Sequence, residues 1–150
     1  MLRGIAVVNV DPKGRFAMPV RYRPQLELGE KPQLVVTIDT EERCLLLYPM
    51  LVWEDIENKL SKLPSFDPAT RRVQRLLIGH ATECECDGQG RLLIPSELRD
   101  YAGIEKKLVL LGQGNKLEIW GEDVWTLHRA SLIDGDRATH LPEDLKSLSL

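Results

Sequence analysis

Apolar and polar positions follow two different periods along the chain, and these periods divide it into strands and helices. Short apolar runs bounded by glycine, proline or aspartate predict strands, at 5–10, 16–18, 33–38, 44–48, 81–86, 92–94, 107–111 and 116–120. Apolar residues at helical spacing predict amphipathic helices, at 52–63, 69–78 and 124–132. Proline, which costs little at the first helical position, opens shorter helices at 19–26 and 95–102. The pattern predicts a mixed α+β chain that is mainly β.

The second half of the chain repeats the first. The sequence Asp-Pro-Lys-Gly-Arg at 11–15, here called turn one, is followed 76 residues later by Asp-Gly-Gln-Gly-Arg at 87–91, called turn two. A glycine accepts the positive φ of a tight turn, and an aspartate accepts hydrogen bonds from nearby backbone N–H groups. The residues assigned to building the turns are therefore Asp11, Gly14, Asp87 and Gly90. The same spacing relates Pro19 to Pro95 and Arg23 to Arg99.

This repeat gives the predicted organisation of the chain. We expect module one at 3–63, a helical connector at 64–79, module two at 80–132 and an acidic C-terminal tail at 133–150. The tail carries leucines at helical spacing (Leu141, Leu145 and Leu148), which allows a loosely docked helix.

Composition indicates a folded protein without an obvious partner. The chain has 150 residues, of which 43% are hydrophobic and 29% charged, and its formal net charge is −3. A strongly basic domain is the usual sign of nucleic-acid binding, so the net charge does not suggest one. Basic residues are nevertheless concentrated near the N-terminus and at Arg71, Arg72 and Arg75, so a basic face remains possible. Neither a membrane span nor a signal peptide is predicted, and we expect a cytoplasmic protein.

The cysteines and tryptophans are expected to be structural. Cys84 and Cys86 are separated by one residue, whereas zinc-binding pairs commonly have two between them. A zinc site that adds His80 and Glu83 is therefore less favoured than small apolar side chains in strands, and no metal or cofactor is expected. The tryptophans lie at repeat-equivalent or apolar-stripe positions, which favours the core or an interface over stacking on bases: Trp53, Trp120 and Trp125.

At the two turns the chain resembles the MraZ family, whose tandem modules are similar to AbrB and the MazE antitoxins. The blocks at 45–49, 71–75 and 90–94 share this resemblance. It implies swapped-hairpin modules that form a pseudo-twofold, double-psi-type β-barrel with flanking helices. It also implies a nucleoid-associated homo-oligomer, expected to be a ring. Such proteins bind short G-rich direct repeats in double-stranded DNA and repress the division and cell-wall gene cluster, their own gene included.

The candidate DNA contacts are arginines and a lysine at or near the turns. Arginine reads guanine by donating to both O6 and N7, so Arg15 is predicted to contact bases and Lys13 to contact phosphate. Arg91, Arg3 and Arg21 are further candidates.

An alternative interpretation gives the turn arginines a structural role within their own module. Arg15 and Arg91 could each form an ion pair with the aspartate of their own turn, which would lock that turn. Gln89 stands where turn one has Lys13, so an equal contribution of the two turns to DNA binding is left open. The arginines at 71, 72 and 75 could form a second phosphate strip, although a solvated helix face or salt bridges between subunits are favoured.

The sequence bears on two other classes of function, an enzyme and an antitoxin. The chain has no Gly-x-Ser-x-Gly, His-Glu-x-x-His or phosphate-loop motif, which predicts that it is not an enzyme. A MazE-like antitoxin that wraps a toxin with a disordered tail is the alternative. The short tail and the second module make that alternative less favoured.

Overall fold

The computed structural model describes residues 1–26, 34–135 and 141–150. It contains strands and helices in the mixed order that the hydrophobic pattern predicts. The strands are β1 (Ile5–Asn9), β2 (Arg15–Ala17), β3 (Leu34–Ile38), β4 (Leu45–Pro49), β5 (Thr82–Cys84), β6 (Arg91–Leu93), β7 (Lys107–Gly112) and β8 (Leu117–Gly121). The helices are a 3₁₀ helix (Val20–Leu26), α1 (Met50–Ser61), α2 (Pro68–Leu77), α3 (Ser96–Ala102), α4 (Glu122–Asp134) and α5 (Glu143–Lys146).

The strands form a six-stranded antiparallel sheet and a separate two-stranded ribbon. The sheet order is β1-β7-β8-β4-β3-β5, and the ribbon is β2-β6. If each strand is replaced by its counterpart in the other repeat, the strand order of the sheet reads the same in the opposite direction. The chain is therefore arranged about a pseudo-twofold axis. β1 pairs with β7 of the other repeat, and β5 pairs with β3, so the first strand of each repeat crosses to the hairpin of the other. The pairings among the described residues do not close a barrel, and the double-psi barrel stays a prediction.

Both faces of the central sheet are covered, which explains why β3 is buried at every position. On one face, the ribbon and the short helices pack against the alternate side chains of the sheet, including Leu34 and Leu108. On the other face, Trp53 of α1 covers one half, and Trp120 packs with Trp125 of α4 in the other half. The three tryptophans therefore belong to the core, as the sequence predicts. Removing such a side chain typically costs about 3–5 kcal/mol.

The differences from the predicted elements are small and have local causes. The segment after Pro19 is a 3₁₀ helix, not an α-helix, and Pro24 lies inside it, where it removes a backbone donor. Cys86 forms only an isolated bridge to Leu92. Gln33 lies outside the described residues. The limits proposed for the modules, connector and tail stay predictions.

Candidate nucleic-acid interface

Turn one is held by the side chain of its aspartate. Asp11 Oδ1 accepts hydrogen bonds from the backbone N–H groups of Lys13 (2.9 Å) and Arg15 (2.8 Å). The backbone N–H of Gly14 donates to the Asp11 carbonyl at 2.9 Å, and Gly14 has a φ of 90°. L-residues with a side chain rarely adopt that conformation. Asp11 and Gly14 therefore supply the hydrogen bonds and the positive φ that close turn one.

Turn two repeats this arrangement with different residues at its centre. Asp87 Oδ1 accepts from the backbone N–H groups of Gln89 (2.9 Å) and Arg91 (3.0 Å). Gly90 donates to the Asp87 carbonyl at 3.0 Å and has a φ of 77°. The two turns thus share one hydrogen-bonding scheme.

The β2-β6 ribbon places both turn arginines on one surface. Arg15 pairs with Leu93, and Ala17 pairs with Arg91. Directly paired residues of antiparallel strands point to the same side, as do residues two apart on one strand. Arg15 and Arg91 therefore lie diagonally on the outer face, about 7–8 Å apart at Cα. The opposite face is buried, with Phe16 only 2% exposed and Leu92 1% exposed.

Each turn arginine forms the ion pair that the alternative reading anticipates. Arg15 Nε lies 2.8 Å from Asp11 Oδ2, and Arg91 Nε lies 2.8 Å from Asp87 Oδ2. About a third of each arginine side chain is exposed. The ion pair uses Nε alone, so the two terminal Nη nitrogens, which carry four N–H donors, lie outside it. The pair fixes the direction of the guanidinium and does not by itself use up its hydrogen-bonding capacity.

The same contacts set the electrostatics of the aspartates. The hydrogen bond from the backbone N–H of Arg15 is the largest influence that lowers the pKa of Asp11, and the guanidinium of Arg15 adds to it. For Asp87, the backbone N–H of Arg91 has the corresponding leading effect on the pKa. Hydrogen bonds to the charged form and a nearby cation both favour the carboxylate. Both aspartates are therefore expected to be ionised at neutral pH.

Two further arginines reach the turns from the opposite repeat, and the sequence reasoning missed this role. A Cβ built on Gly14 would lie 2.4 Å from Cζ of Arg99, and one built on Gly90 would lie 2.5 Å from Cζ of Arg23. Arg99 belongs to α3 of repeat two, and Arg23 belongs to the 3₁₀ helix of repeat one. Arg23 and Arg99 are separated by the same 76 residues as the two turns, which was the signal in the sequence. The folded chain shows that each arginine lies over the turn of the other repeat.

Arg3 and Arg21 lie at the other end of β1 from turn one. Arg21 Nη2 donates to the carbonyl of Ile5 at 2.9 Å, and the Tyr22 hydroxyl donates to the carbonyl of Arg3 at 3.0 Å. The strand from Ile5 to Asn9 separates them from turn one by about 13 Å at the usual rise per residue. The structure therefore does not bring these two candidates together with Arg15.

The arginines of α2 and the thiol of Cys84 lie in surroundings that suit structural roles. Arg71, Arg72 and Arg75 lie exposed on α2, and Arg72 donates to the carbonyl of Thr40 at 2.9 Å. This agrees with a solvated helix face. Burial raises the pKa of the Cys84 thiol to about 12, as expected for a cysteine in the core.

Comparisons with known proteins place the chain in a family. The family model described as "MraZ protein, putative antitoxin-like" matches twice, at residues 1–76 and 77–146. The chain belongs to the MraZ family. It is 53% identical over 152 residues to the "Transcriptional regulator MraZ" of Coxiella burnetii (strain RSA 493 / Nine Mile phase I), with all of both chains covered. It is 52% identical over 157 residues to the protein of that name from Legionella pneumophila (strain Paris), again over both full lengths.

A third relative agrees with these two. The "Transcriptional regulator MraZ" of Hydrogenovibrio crunogenus is 51% identical over 148 residues, which cover 99% of this chain and 97% of that protein. The double match of the MraZ family model supports the tandem repeat found in the sequence. Among the described helices, none is both long and apolar enough to cross a membrane.

Proposed function

We propose that this chain is a transcriptional regulator that binds double-stranded DNA with the outer face of its β2-β6 ribbon. The observation that carries the proposal is the placement of Arg15 and Arg91 on that face, each oriented by an aspartate of its own turn. The name of the curated relatives, that of a transcriptional regulator and not of an enzyme, supports it.

The dimensions of the ribbon suit the major groove. The groove is about 12 Å wide and admits a two-stranded β-ribbon. Base pairs are stacked about 3.4 Å apart, so a Cα separation of about 7–8 Å between Arg15 and Arg91 corresponds to roughly two base steps. The terminal nitrogens of each arginine would donate to O6 and N7 of guanine, in agreement with G-rich targets. Lys13, exposed at the tip of turn one, would contact a phosphate.

Assembly would multiply a weak individual contact. A single β2-β6 ribbon, together with turn one, presents few positive charges to DNA. The whole chain has a net charge of −3. A homo-oligomeric ring that presents several ribbons to successive direct repeats would raise the effective concentration of each. Repeats separated by about one helical turn would face the same side of the duplex. In this scheme the protein acts in the cytoplasm at the nucleoid. It represses the division and cell-wall gene cluster, including its own gene.

Footprinting on the DNA upstream of the protein's own gene tests this function. We expect regularly spaced protection that is lost steeply as salt rises, because phosphate contacts release bound counterions. Arg15→Ala should remove specific protection, since each bidentate arginine–guanine contact discriminates by about 1–3 kcal/mol. Arg129→Ala, at an exposed position on α4, is the matched control. Equal protection by wild type and Arg15→Ala would rule out the assignment.

The second candidate is an antitoxin, which the description of the family names. The observation that favours it is the exposed C-terminal tail, whose leucines at 141, 145 and 148 are available to a partner. Removal of residues 141–150 distinguishes the two functions. A DNA regulator of the proposed kind should keep its footprint, whereas an antitoxin should lose neutralisation of a toxin encoded beside it.

A further inference from the structure

Each turn of this protein is packed beneath an arginine from the opposite repeat. The positions of Arg99 over Gly14 and of Arg23 over Gly90 are so close that a Cβ on either glycine would overlap the guanidinium. Gly14 is buried and Gly90 is half-buried. The absence of a side chain at these two glycines is therefore what allows the flat guanidinium to rest on the backbone of the turn.

Backbone hydrogen bonds cross between the repeats at the same glycines. The N–H of Ile94 donates to the carbonyl of Gly14 at 3.0 Å, and the N–H of Met18 donates to the carbonyl of Gly90 at 2.9 Å. Each turn is thus bonded through its glycine carbonyl to the other repeat and covered by an arginine of that repeat. These two contacts are independent observations, and they have the same exchanged connectivity.

We propose that Arg99 is a positioning residue for turn one and Arg23 a positioning residue for turn two, so that the two repeats set the DNA-binding geometry of each other. The inference rests on the proposed function. It assigns Arg99 to the recognition surface around Lys13 and Arg15, although Arg99 lies in repeat two. By distance along the chain alone, Arg99 would be assigned to turn two.

The two positioning arginines are held differently. Arg23 Nε donates to the carbonyl of Met18 at 2.8 Å. Among the described residues, the buried Nε of Arg99 has no hydrogen-bond partner. Arg99 therefore lacks the hydrogen bond that its counterpart Arg23 makes through Nε. Lysine keeps the positive charge but lacks the flat guanidinium group. Arg99→Lys should therefore remove the packing over Gly14.

Hydrogen exchange of the full-length protein without DNA tests the positioning directly. Arg99→Lys should cause a loss of protection in peptides that cover 11–15 and leave those that cover 87–91 unchanged, and Arg23→Lys should do the reverse. Arg129→Lys should change neither. If Arg99→Lys does not fold, Arg99→Met, which keeps much of the aliphatic stem, should show the same crossed pattern. Loss of protection in the turn of the same repeat, or in neither turn, would overturn the inference.

A double-mutant cycle on DNA affinity tests the functional consequence. Arg99→Lys combined with Arg15→Lys should deviate from multiplicative effects by about twofold or more, as residues that share contacts do. Arg99→Lys combined with Arg91→Lys should be multiplicative. Crossed hydrogen exchange without any effect of Arg15→Lys on affinity would refute the DNA contact and support the positioning. An effect of Arg15→Lys with uncrossed exchange would refute the positioning alone.

Discussion

Turn one and turn two have the same backbone but different charges. In both, the aspartate accepts from the backbone N–H groups two and four residues later and pairs with the arginine Nε at 2.8 Å. The two residues between aspartate and glycine differ completely: Pro12 and Lys13 in one turn, Gly88 and Gln89 in the other. The aspartate, glycine and arginine therefore suffice to define the turn. The intervening positions are free to set how strongly each turn attracts DNA.

The comparison extends to the arginine above each turn. Arg23 over turn two has an acceptor for its Nε, whereas Arg99 over turn one has none within the described part of the chain. A buried donor without a partner generally costs about 1–3 kcal/mol. Turn one, which carries the lysine, is thus also the turn whose covering arginine lacks this hydrogen bond.

Substituting the turn glycines should give the largest effect. Gly14→Ala and Gly90→Ala each force a positive φ on alanine, which costs about 1–2 kcal/mol, and displace the guanidinium above. We expect both variants to unfold at lower temperature than wild type at equal protein concentration, and to bind DNA more weakly.

Gly88→Ala is the matched control, since it lies in turn two and, its chain neighbours aside, no heavy atom of the described residues lies within 4 Å of the added Cβ. Its stability should stay within about 0.5 kcal/mol of wild type. If Gly88→Ala and Gly90→Ala were equally destabilised, the special role of the positive-φ glycine would be wrong.

Exchanging the central residues of the turns should have a moderate effect confined to DNA binding. Lys13→Gln gives turn one the neutral side chain of turn two. It should reduce the magnitude of the salt slope by about 1 for each turn one that contacts a phosphate. Thermal unfolding should be nearly unchanged, because Lys13 is exposed and only its backbone N–H bonds to Asp11.

The reverse substitution, Gln89→Lys, shows whether turn two lies near DNA. The slope should steepen by about 1 for each turn two that lies against a phosphate. An unchanged slope with Gln89→Lys, together with a reduced one for Lys13→Gln, would assign phosphate binding to turn one alone.

Local sequence patterns predicted the turns, whereas an exchange between the repeats was implied only by the family resemblance. Turn one and turn two could be predicted because aspartate and glycine act through neighbours within four residues. Nothing in the local pattern showed that β1 pairs with β7, since the pairing depends on contacts about a hundred residues apart. The positions of Arg23 and Arg99 depend on the same exchange, and so does their separation from the turn of their own repeat.

The carboxylates of the two turns should give the smallest effect, present at neutral pH and lost in acid. The pKa of Asp11 is lowered below its ordinary value of 3.8, chiefly by the backbone N–H of Arg15. A group whose pKa is lowered on folding contributes stability that is fully present above its unfolded pKa and is lost as the pH falls through the folded pKa. Asp11→Asn removes this charge and keeps an acceptor oxygen, so it should be less stable than wild type at pH 7. The difference should shrink as the pH is lowered below about 3.8.

Asp87→Asn should behave in the same way, because the pKa of Asp87 is lowered by the equivalent contact with Arg91. Chemical unfolding of the three proteins across this range measures both differences. A gap between wild type and variant that stayed constant in acid would mean that the charge of the aspartate does not hold the turn.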